Sequence, residues 1–346
     1  MTKISEKRPL VTYILATYNQ QDVVEEALNS ALAQTYQPLE IIISDDCSTD
    51  QTYDVIKKLV RAYNGPHSIK LNQNSENLGI GHHWDYISRL AQGELIIHAA
   101  GDDISLPNRT EILVDAWRSY TPRPTMISSD GTKMSYDGRS LDPHIGQRFP
   151  DKMGIQREVI SGNLDLNRVP RCGFSLAIDR KLYETFDPIV DRLWSEDDIL
   201  KRRALLLGGI AYISDKLVRY RDNGLSKGAE KTQEAYLKLF REQTKSRISV
   251  IRISRDDINK TRYSHDPIFI KALDLEHQNA CRRLQMIDAR FISSFLSLIN
   301  LALYSKRSEG LSRQEYLNFF LVRWLPNVFF SLRRYKNYLA AVRSKA

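Results

Sequence analysis

Cysteine is scarce in this chain: Cys47, Cys172 and Cys281 are the only three in 346 residues. They are far apart, odd in number and without C-x-x-C spacing, which argues against a disulfide framework and a thiolate zinc site. No window reaches the roughly 18 uninterrupted apolar residues that a membrane-spanning helix needs. The opening MTKISEKRPL is polar, so no secretory signal is expected, and a reducing cytoplasm is the expected setting. Glycine is missing from the first strand–helix turn, LATYNQQD, and no G-x-x-x-x-G-K-S/T run occurs. A P-loop nucleotidase and a dinucleotide-dependent dehydrogenase both lose their main support. Internal repeats and low-complexity tracts are lacking as well.

What remains is an ordinary globular composition, 42% hydrophobic and 27% charged, long enough for two domains. The charge is unevenly spread. Residues 1–230 carry 28 Lys/Arg against 32 Asp/Glu, a balance of −4, whereas residues 231–346 carry 22 against 10, a balance of +12. A mildly acidic front part and a strongly basic tail suggest two jobs.

The first 110 residues alternate strand and helix signals. LVTYILA (10–16) reads as a strand and DVVEEALNSALAQ as a helix, with Asp22 and Glu25 in a capping-box pattern. Strand 39–44, helix 52–63, a short strand near 68–72, helix 81–91 and strand 94–100 follow. Pro107 suits the first position of another helix. Such alternation predicts a mostly parallel sheet with helices on both faces. After residue 124 the pattern turns to strands with tight turns, Asp137-Gly138 being a hairpin-type dipeptide, and then to further strands with a helix between them. Beyond residue 230 the pattern is helical.

Two hydrophobic strands end in adjacent aspartates: EIIISDD in Asp45-Asp46 and ELIIHAAGDD in Asp102-Asp103. In open α/β sheets ligands bind outside the carboxyl ends of the strands, so both pairs and the ATYN segment (16–19) are expected on one rim. One solvated Asp pair is commonly only a turn, but two on one rim point to a cation or a hydroxyl-rich ligand. An acidic rim holds a diphosphate only through a divalent ion, and Mg²⁺ or Mn²⁺ is commonly bound by one or two carboxylates plus phosphate oxygens. His82 and His83 are adjacent, so on a helix they point about 100° apart and do not make a soft-metal site. A third cluster, Glu196-Asp197-Asp198, opens an apolar helix. Acids there suit the helix dipole. Crowding and burial would also raise an aspartate from its ordinary pKa of about 3.9 towards that of a useful general base.

These residues, in this order, resemble family 2 glycosyltransferases of the GT-A fold. The segments that carry the resemblance are VTYILATYNQQDVVEEALNSALAQTYQPLEIIISDDCSTDQT, ENLGIGHHWDYISRLAQGELIIHAAGDDISLPNR and SEDDILKRRALLLGGIAYISDKLVRYRDNGLS, within residues 9 to 227. The resemblance implies an inverting sugar transfer of the bacterial surface-polysaccharide type. Ala16 and Thr17 would line the nucleotide base, Asp46 would bind it, and Asn77 would lie in the donor site. Asp102 would sit near the ribose, Asp103 would ligate Mg²⁺ or Mn²⁺ on the diphosphate, and Asp197 would be the catalytic base. Relatives often carry a basic residue near the position of Trp84 that helps hold the nucleotide or phosphate. This chain has HHWD instead, which leaves the phosphate contacts unassigned. There is no QxxRW motif of processive synthases, so single addition is favoured. YRDNGLS resembles the closing segment but lacks its usual histidine, leaving little weight on Arg221 and Asn223.

The resulting expectation is a GT-A domain over residues 8–228, with a nucleotide-sugar half (8–110) and an acceptor half (111–228), and a basic helical region over 229–346. The donor would be a nucleotide-diphosphate sugar, UDP-linked. The acceptor would be a glycan or lipid-linked glycan. The basic, aromatic tail reads as a surface helix on the inner face of an anionic membrane, or as packing on the core or on a second subunit of a homo-oligomer. No nucleic-acid module is recognisable. The rival classes are a nucleotidyltransferase of sugar phosphates, which would want a Gly- and Lys-rich first loop, and a membrane-associated scaffold on a degenerate transferase fold.

Overall fold

The computed structural model describes residues 7–142, 173–222 and 233–288. The first half follows the sequence periodicity closely: β1 (Val11–Thr17), α1 (Val24–Leu32), β2 (Leu39–Asp45), α2 (Thr52–Ala62), β3 (Ser68–Gln73), α3 (Ile80–Arg89) and β4 (Leu95–Ala100). A two-residue β5 (Ile104–Ser105), α4 (Arg109–Ser119), β6 (Met126–Ser135) and β7 (Ser140–Asp142) come next. After a 3-10 turn (Gly173–Ser175) the chain forms β8 (Leu176–Asp179), α5 (Lys181–Thr185), α6 (Asp197–Leu207) and β9 (Ile210–Asp222). Two long helices, α7 (Gln233–Ile258) and α8 (Pro267–Asp288), complete the described residues.

The strands form one sheet in the order β3-β2-β1-β4-β8-β6-β9-β5, with β7 beside β6. β3, β2, β1 and β4 are parallel, and so are β6 and β9. β8 runs antiparallel to both β4 and β6, and β5 antiparallel to β9. The sheet is therefore mixed, where alternation alone predicts a mostly parallel one. Its antiparallel pairs come from β8, a late strand that inserts between two earlier ones, and from the short β5 and β7.

All seven residues of β2 are buried, which accounts for its unbroken apolar run: helices cover both faces. On one face Tyr13, Leu15, Ile41, Ile43, Ile97 and Ala99 meet Leu28 and Ala31 of α1 and Leu113 and Trp117 of α4. Each such side chain contributes roughly 1.5–3 kcal/mol by leaving water. Two local expectations are not met. Helix α1 begins at Val24 without a side-chain cap, because the Val23 and Val24 N–H groups donate to the Gln20 carbonyl at 3.0 and 2.9 Å. The Asp22 carboxylate instead accepts from the Tyr136 hydroxyl at 3.3 Å. Pro107 lies two residues ahead of α4, and its carbonyl accepts from Thr35 N–H at 2.9 Å.

The chain divides into two compact units: Met1–Asn223 with Ile253–Phe269, and Gly224–Arg252 with Ile270–Ala346. By its contacts the segment 253–269, beyond the expected boundary at 228/229, belongs to the first unit. That segment is held by ions. Arg203 of α6, 1% exposed, donates from Nε to Asp257 Oδ2 at 2.8 Å and from Nη2 to Asp257 Oδ1 at 3.2 Å and the Asp187 carbonyl at 2.9 Å. Asp85 stands 3.7 Å from Arg203 and is itself bonded by Arg89 at 2.8 Å. In the second unit Arg247 pairs with Glu276 at 3.5 Å, and Arg283 lies over the Phe240 ring. The segments FISSFLSLINLAL and EYLNFFLVRWLPNVFFSLRRYKNYLAAVRSKA, on which the membrane and subunit-packing expectations rest, lie outside the described residues.

Candidate active site

Parallel register brings the predicted strand ends together. Thr17 is paired with Asp45 across β1–β2, and Ala16 with Ala100 across β1–β4. The Gly101 N–H donates to the Ala16 carbonyl at 2.9 Å, and a Cβ at Gly101 would stand 2.6 Å from Thr17 Cγ2. Only glycine allows the second Asp pair this close to the first strand. Thr17 is buried, and its hydroxyl reaches the Ser44 carbonyl at 3.2 Å and Asp45 Oδ1 at 3.3 Å. Ala16 is half-buried at the same edge.

The end of β2 is occupied by its own chain. Asp45 is fully buried and shapes the turn after it, accepting from Ser48 N–H at 2.9 Å and Gln73 Nε2 at 3.3 Å. Asp46, 3% exposed, accepts four hydrogen bonds. Asn74 Nδ2 and Leu78 N–H go to Oδ1 at 2.8 and 2.9 Å, while Asn77 Nδ2 and Gly79 N–H go to Oδ2 at 3.2 and 3.0 Å. A carboxylate offers about four lone-pair sites. Asp46 thus holds the 74–79 loop, Asn77 included, against the rim, and a nucleotide base binding to it would displace one of these bonds.

The end of β4 is different. Asp103 is 4% exposed, and its Oδ1 accepts from Arg221 N–H at 2.8 Å. Its Oδ2 accepts no hydrogen bond among the described residues. Burial, and then the Asp102 charge, push its pKa well up, against the pull of Arg221 and Arg109. Asp102 is half-buried, the more open of the two, and its carbonyl accepts from Arg221 Nε at 2.9 Å. Arg221 ties this turn to the rest of the unit through the Tyr136 carbonyl and Glu26 Oε2, the latter at 2.6 Å. Beneath it Arg109, fully buried, donates to Ser105 Oγ at 2.8 Å and the His98 carbonyl at 2.7 Å. Sequence reasoning overlooked Arg109 and gave Arg221 little weight. A signal existed for Arg109: with Leu113 and Trp117 it sits at the i, i+4, i+8 spacing of an apolar face.

At the head of α6, Glu196 is 7% exposed and the Asp197 side chain 27%. Glu196 Oε2 and Asp197 Oδ1 are both buried without a hydrogen-bond partner among the described residues. Burial and the neighbouring Asp197 push Glu196 up to about 8. Burial also raises Asp197, opposed by Lys201, whose Nζ stands 4.0 Å from Oδ2, and helped by Asp198. Gly173 allows this approach, since a Cβ there would collide with the Asp197 carboxylate. The next residue, Phe174, lies against the Tyr220 ring with centroids 5.3 Å apart, one residue from Arg221. The 3-10 turn thus lies between Asp197 and the Asp102-Asp103 turn.

His83 and His98 are structural. His83 Nε2 lies 2.7 Å from Ser44 Oγ, and burial lowers its pKa. His98, stacked on Trp84 at 4.2 Å, is pushed down to about 3 by burial and Arg109. Among the described residues no cluster of three or more His, Cys, Asp and Glu could enclose a metal. A divalent ion would therefore depend on Asp102 and Asp103 with ligands from the substrate. Asp103 Oδ2, left without a donor beside a second carboxylate, fits that demand.

A wound α/β sheet with acidic strand ends and flanking helices is the architecture of a GT-A-type transferase. The family model of glycosyl transferase family 2 matches residues 12–186, and the chain belongs to that family. An uncharacterized glycosyltransferase from Nostoc is 27% identical over 233 residues, 62% of this chain and 65% of that protein. An Escherichia coli UDP-Glc:α-D-GlcNAc-diphosphoundecaprenol β-1,3-glucosyltransferase is 52% identical over 50 residues, 14% of this chain and 20% of that one. A mannosyltransferase from Pyrobaculum calidifontis, solved with GDP-Man and Mn²⁺, shares the fold with a TM-score of 0.50 and 20% identity, covering 92% of this chain and 88% of that one. The chain spans less than two thirds of the length of the curated relatives it matches first.

Proposed function

We propose that this chain is an inverting, metal-dependent glycosyltransferase that moves a sugar from a nucleotide-diphosphate sugar to a hydroxyl of a glycan or lipid-linked glycan. The observation that carries this reading is the unequal treatment of the rim carboxylates. Asp46 is saturated, whereas Asp103 and Asp197 each keep an oxygen without a donor among the described residues.

Asp197 is the base. Its raised pKa and its orphaned Oδ1 suit it to accept the acceptor hydroxyl's proton as that oxygen attacks the anomeric carbon. Attack from the side opposite the diphosphate inverts the centre, and one base suffices. Lys201, whose Nζ stands 4.0 Å from Asp197 Oδ2, opposes the rise that burial imposes on this carboxyl. Asp103 and the more open Asp102 would hold Mg²⁺ or Mn²⁺, which when bound offsets charge on the leaving diphosphate. Arg221 fixes the geometry of both aspartates through backbone bonds. Ala16 and Thr17 form the floor for the base, with Asn77 on the loop that Asp46 braces.

UDP is the favoured nucleotide, as in the donor named for the E. coli relative, while the P. calidifontis enzyme was solved with GDP-Man. A lipid-diphosphate acceptor, as in that E. coli protein's name, would bring the reaction to a membrane surface. We therefore favour a cytoplasmic enzyme peripheral to the inner face, approached by the basic tail. No helix among the described residues is long and apolar enough to cross a membrane. The test is a panel of UDP- and GDP-sugars with Mn²⁺, Mg²⁺ or EDTA, reading released nucleotide by mass. Metal-dependent slow donor hydrolysis supports the reading. No nucleotide-sugar binding or turnover with metal present would sink it.

A further inference from the structure

A nucleotide diphosphate brings several negative charges to a rim that already holds Asp45, Asp46, Asp102, Asp103, Glu196 and Asp197. One divalent ion offsets only part of that. Among the described residues several buried cations of this unit are already engaged: Arg221 with Glu26 and two carbonyls, Arg109 with Ser105 and the His98 carbonyl, Arg203 with Asp257, and Lys201 beside Asp197.

Arg192 is not. It is exposed, and it has no ion pair or hydrogen bond among the described residues. Its position is nonetheless fixed. A Cβ at Gly79 would stand 3.4 Å from Arg192 Nε and 3.7 Å from its Cγ, so the side chain lies directly over that glycine. Gly79 has φ of +78° and donates its N–H to Asp46 Oδ2, so the arginine covers the loop bonded to the end of β2. The next residue, Leu193, is buried over Gly81, where a Cβ would stand 2.9 Å from the Leu193 Cβ. Three residues further the same segment enters Glu196 and Asp197. Arg192 is thus a cation anchored by its neighbour and its stem, between the donor loop and the base helix, with its charged head free.

We propose that Arg192 binds a phosphate oxygen of the nucleotide diphosphate, the contact that the HHWD segment of α3 does not provide. This assignment rests on the nucleotide-sugar reading above. A guanidinium is suited to it, with a planar fork of donors that stays charged at any working pH.

The experiment compares equilibrium binding of UDP and GDP, and of uridine and guanosine, to the full chain with Mn²⁺ present. Arg192→Gln should weaken nucleoside diphosphate binding about tenfold and leave nucleoside binding unchanged. Arg192→Lys should recover part of the loss, and raising salt should narrow the gap between wild type and Arg192→Gln. Unchanged diphosphate affinity in Arg192→Gln overturns the assignment, including the case in which only the KM for an acceptor rises. An equal loss for nucleoside and diphosphate also overturns it, because the residue would then be supporting the loop. A wild-type chain that binds neither diphosphate overturns both this assignment and the donor reading beneath it.

Discussion

Asp46 and Asp197 both stand at the edge of the same unit, yet the chain treats them in opposite ways. Asp46 gathers two backbone N–H groups and two asparagine amides, a set that stabilises a carboxylate and closes it to anything else. Glu196 is buried and Asp197 partly so, each with a buried oxygen that no described residue bonds, and both are pushed towards the protonated form. Folding gains from the first arrangement and loses from the second. A chain that tolerates the second at one helix head keeps it for work done on something that arrives later.

Substitutions can break that contrast. The largest effect is expected at Asp197: Asp197→Asn should lower sugar transfer about a thousandfold while leaving nucleotide binding and the melting temperature nearly unchanged. Retained transfer would remove Asp197 as the base. Asp46→Ala should do the reverse. It orphans the Leu78 and Gly79 N–H groups and should cost about 3 kcal/mol of stability, read by chemical denaturation. A loss of nucleotide affinity with full stability would instead show Asp46 to be a direct ligand.

Glu196 gives a pH signature. Its pKa rises from the ordinary 4.5 to about 8, so the folded state holds this proton more tightly than the unfolded chain does. The stability it contributes is complete below about pH 4.5 and is lost as pH climbs through about 8. Melting temperatures should fall across that window, and Glu196→Gln should flatten the fall, by on the order of 2 kcal/mol in stability. An unaltered slope in the variant would place the titration elsewhere. The smallest effect is expected at the more open rim carboxylate: Asp102→Asn should weaken Mn²⁺-dependent nucleotide binding about tenfold, with metal-free binding unchanged.

Much of the fold and part of the rim were legible in the chain. Apolar runs and periodicity locate β1 to β4 and the helices between them, because local spacing decides burial there. The rule that ligands gather at carboxyl strand ends brings Ala16, Thr17, Asp45 and Asp102 to one edge, as the parallel register does. The place of β8 between β4 and β6 was not legible, since strand pairing at long range leaves no local pattern. Nor was the saturation of Asp46, which depends on a loop 28 to 33 residues away. The buried arginines were hidden for another reason: arginine is mostly a surface residue, and KRR in α6 reads as a solvated stretch until all three side chains are seen to be buried.

The clamp between Arg203 and Asp257 bears on how this protein can be cut. A truncation after residue 228, where the charge balance and the motifs invite one, removes the carboxylate that neutralises the buried Arg203 guanidinium of α6. Among the described residues the shortened chain would leave this buried guanidinium with only the Asp187 carbonyl and Asp85, itself already bonded by Arg89, as polar partners. Losing one partner of a buried ion pair is costly. Part of what looks like an appended tail, the segment up to Phe269, is therefore a keystone of the first unit.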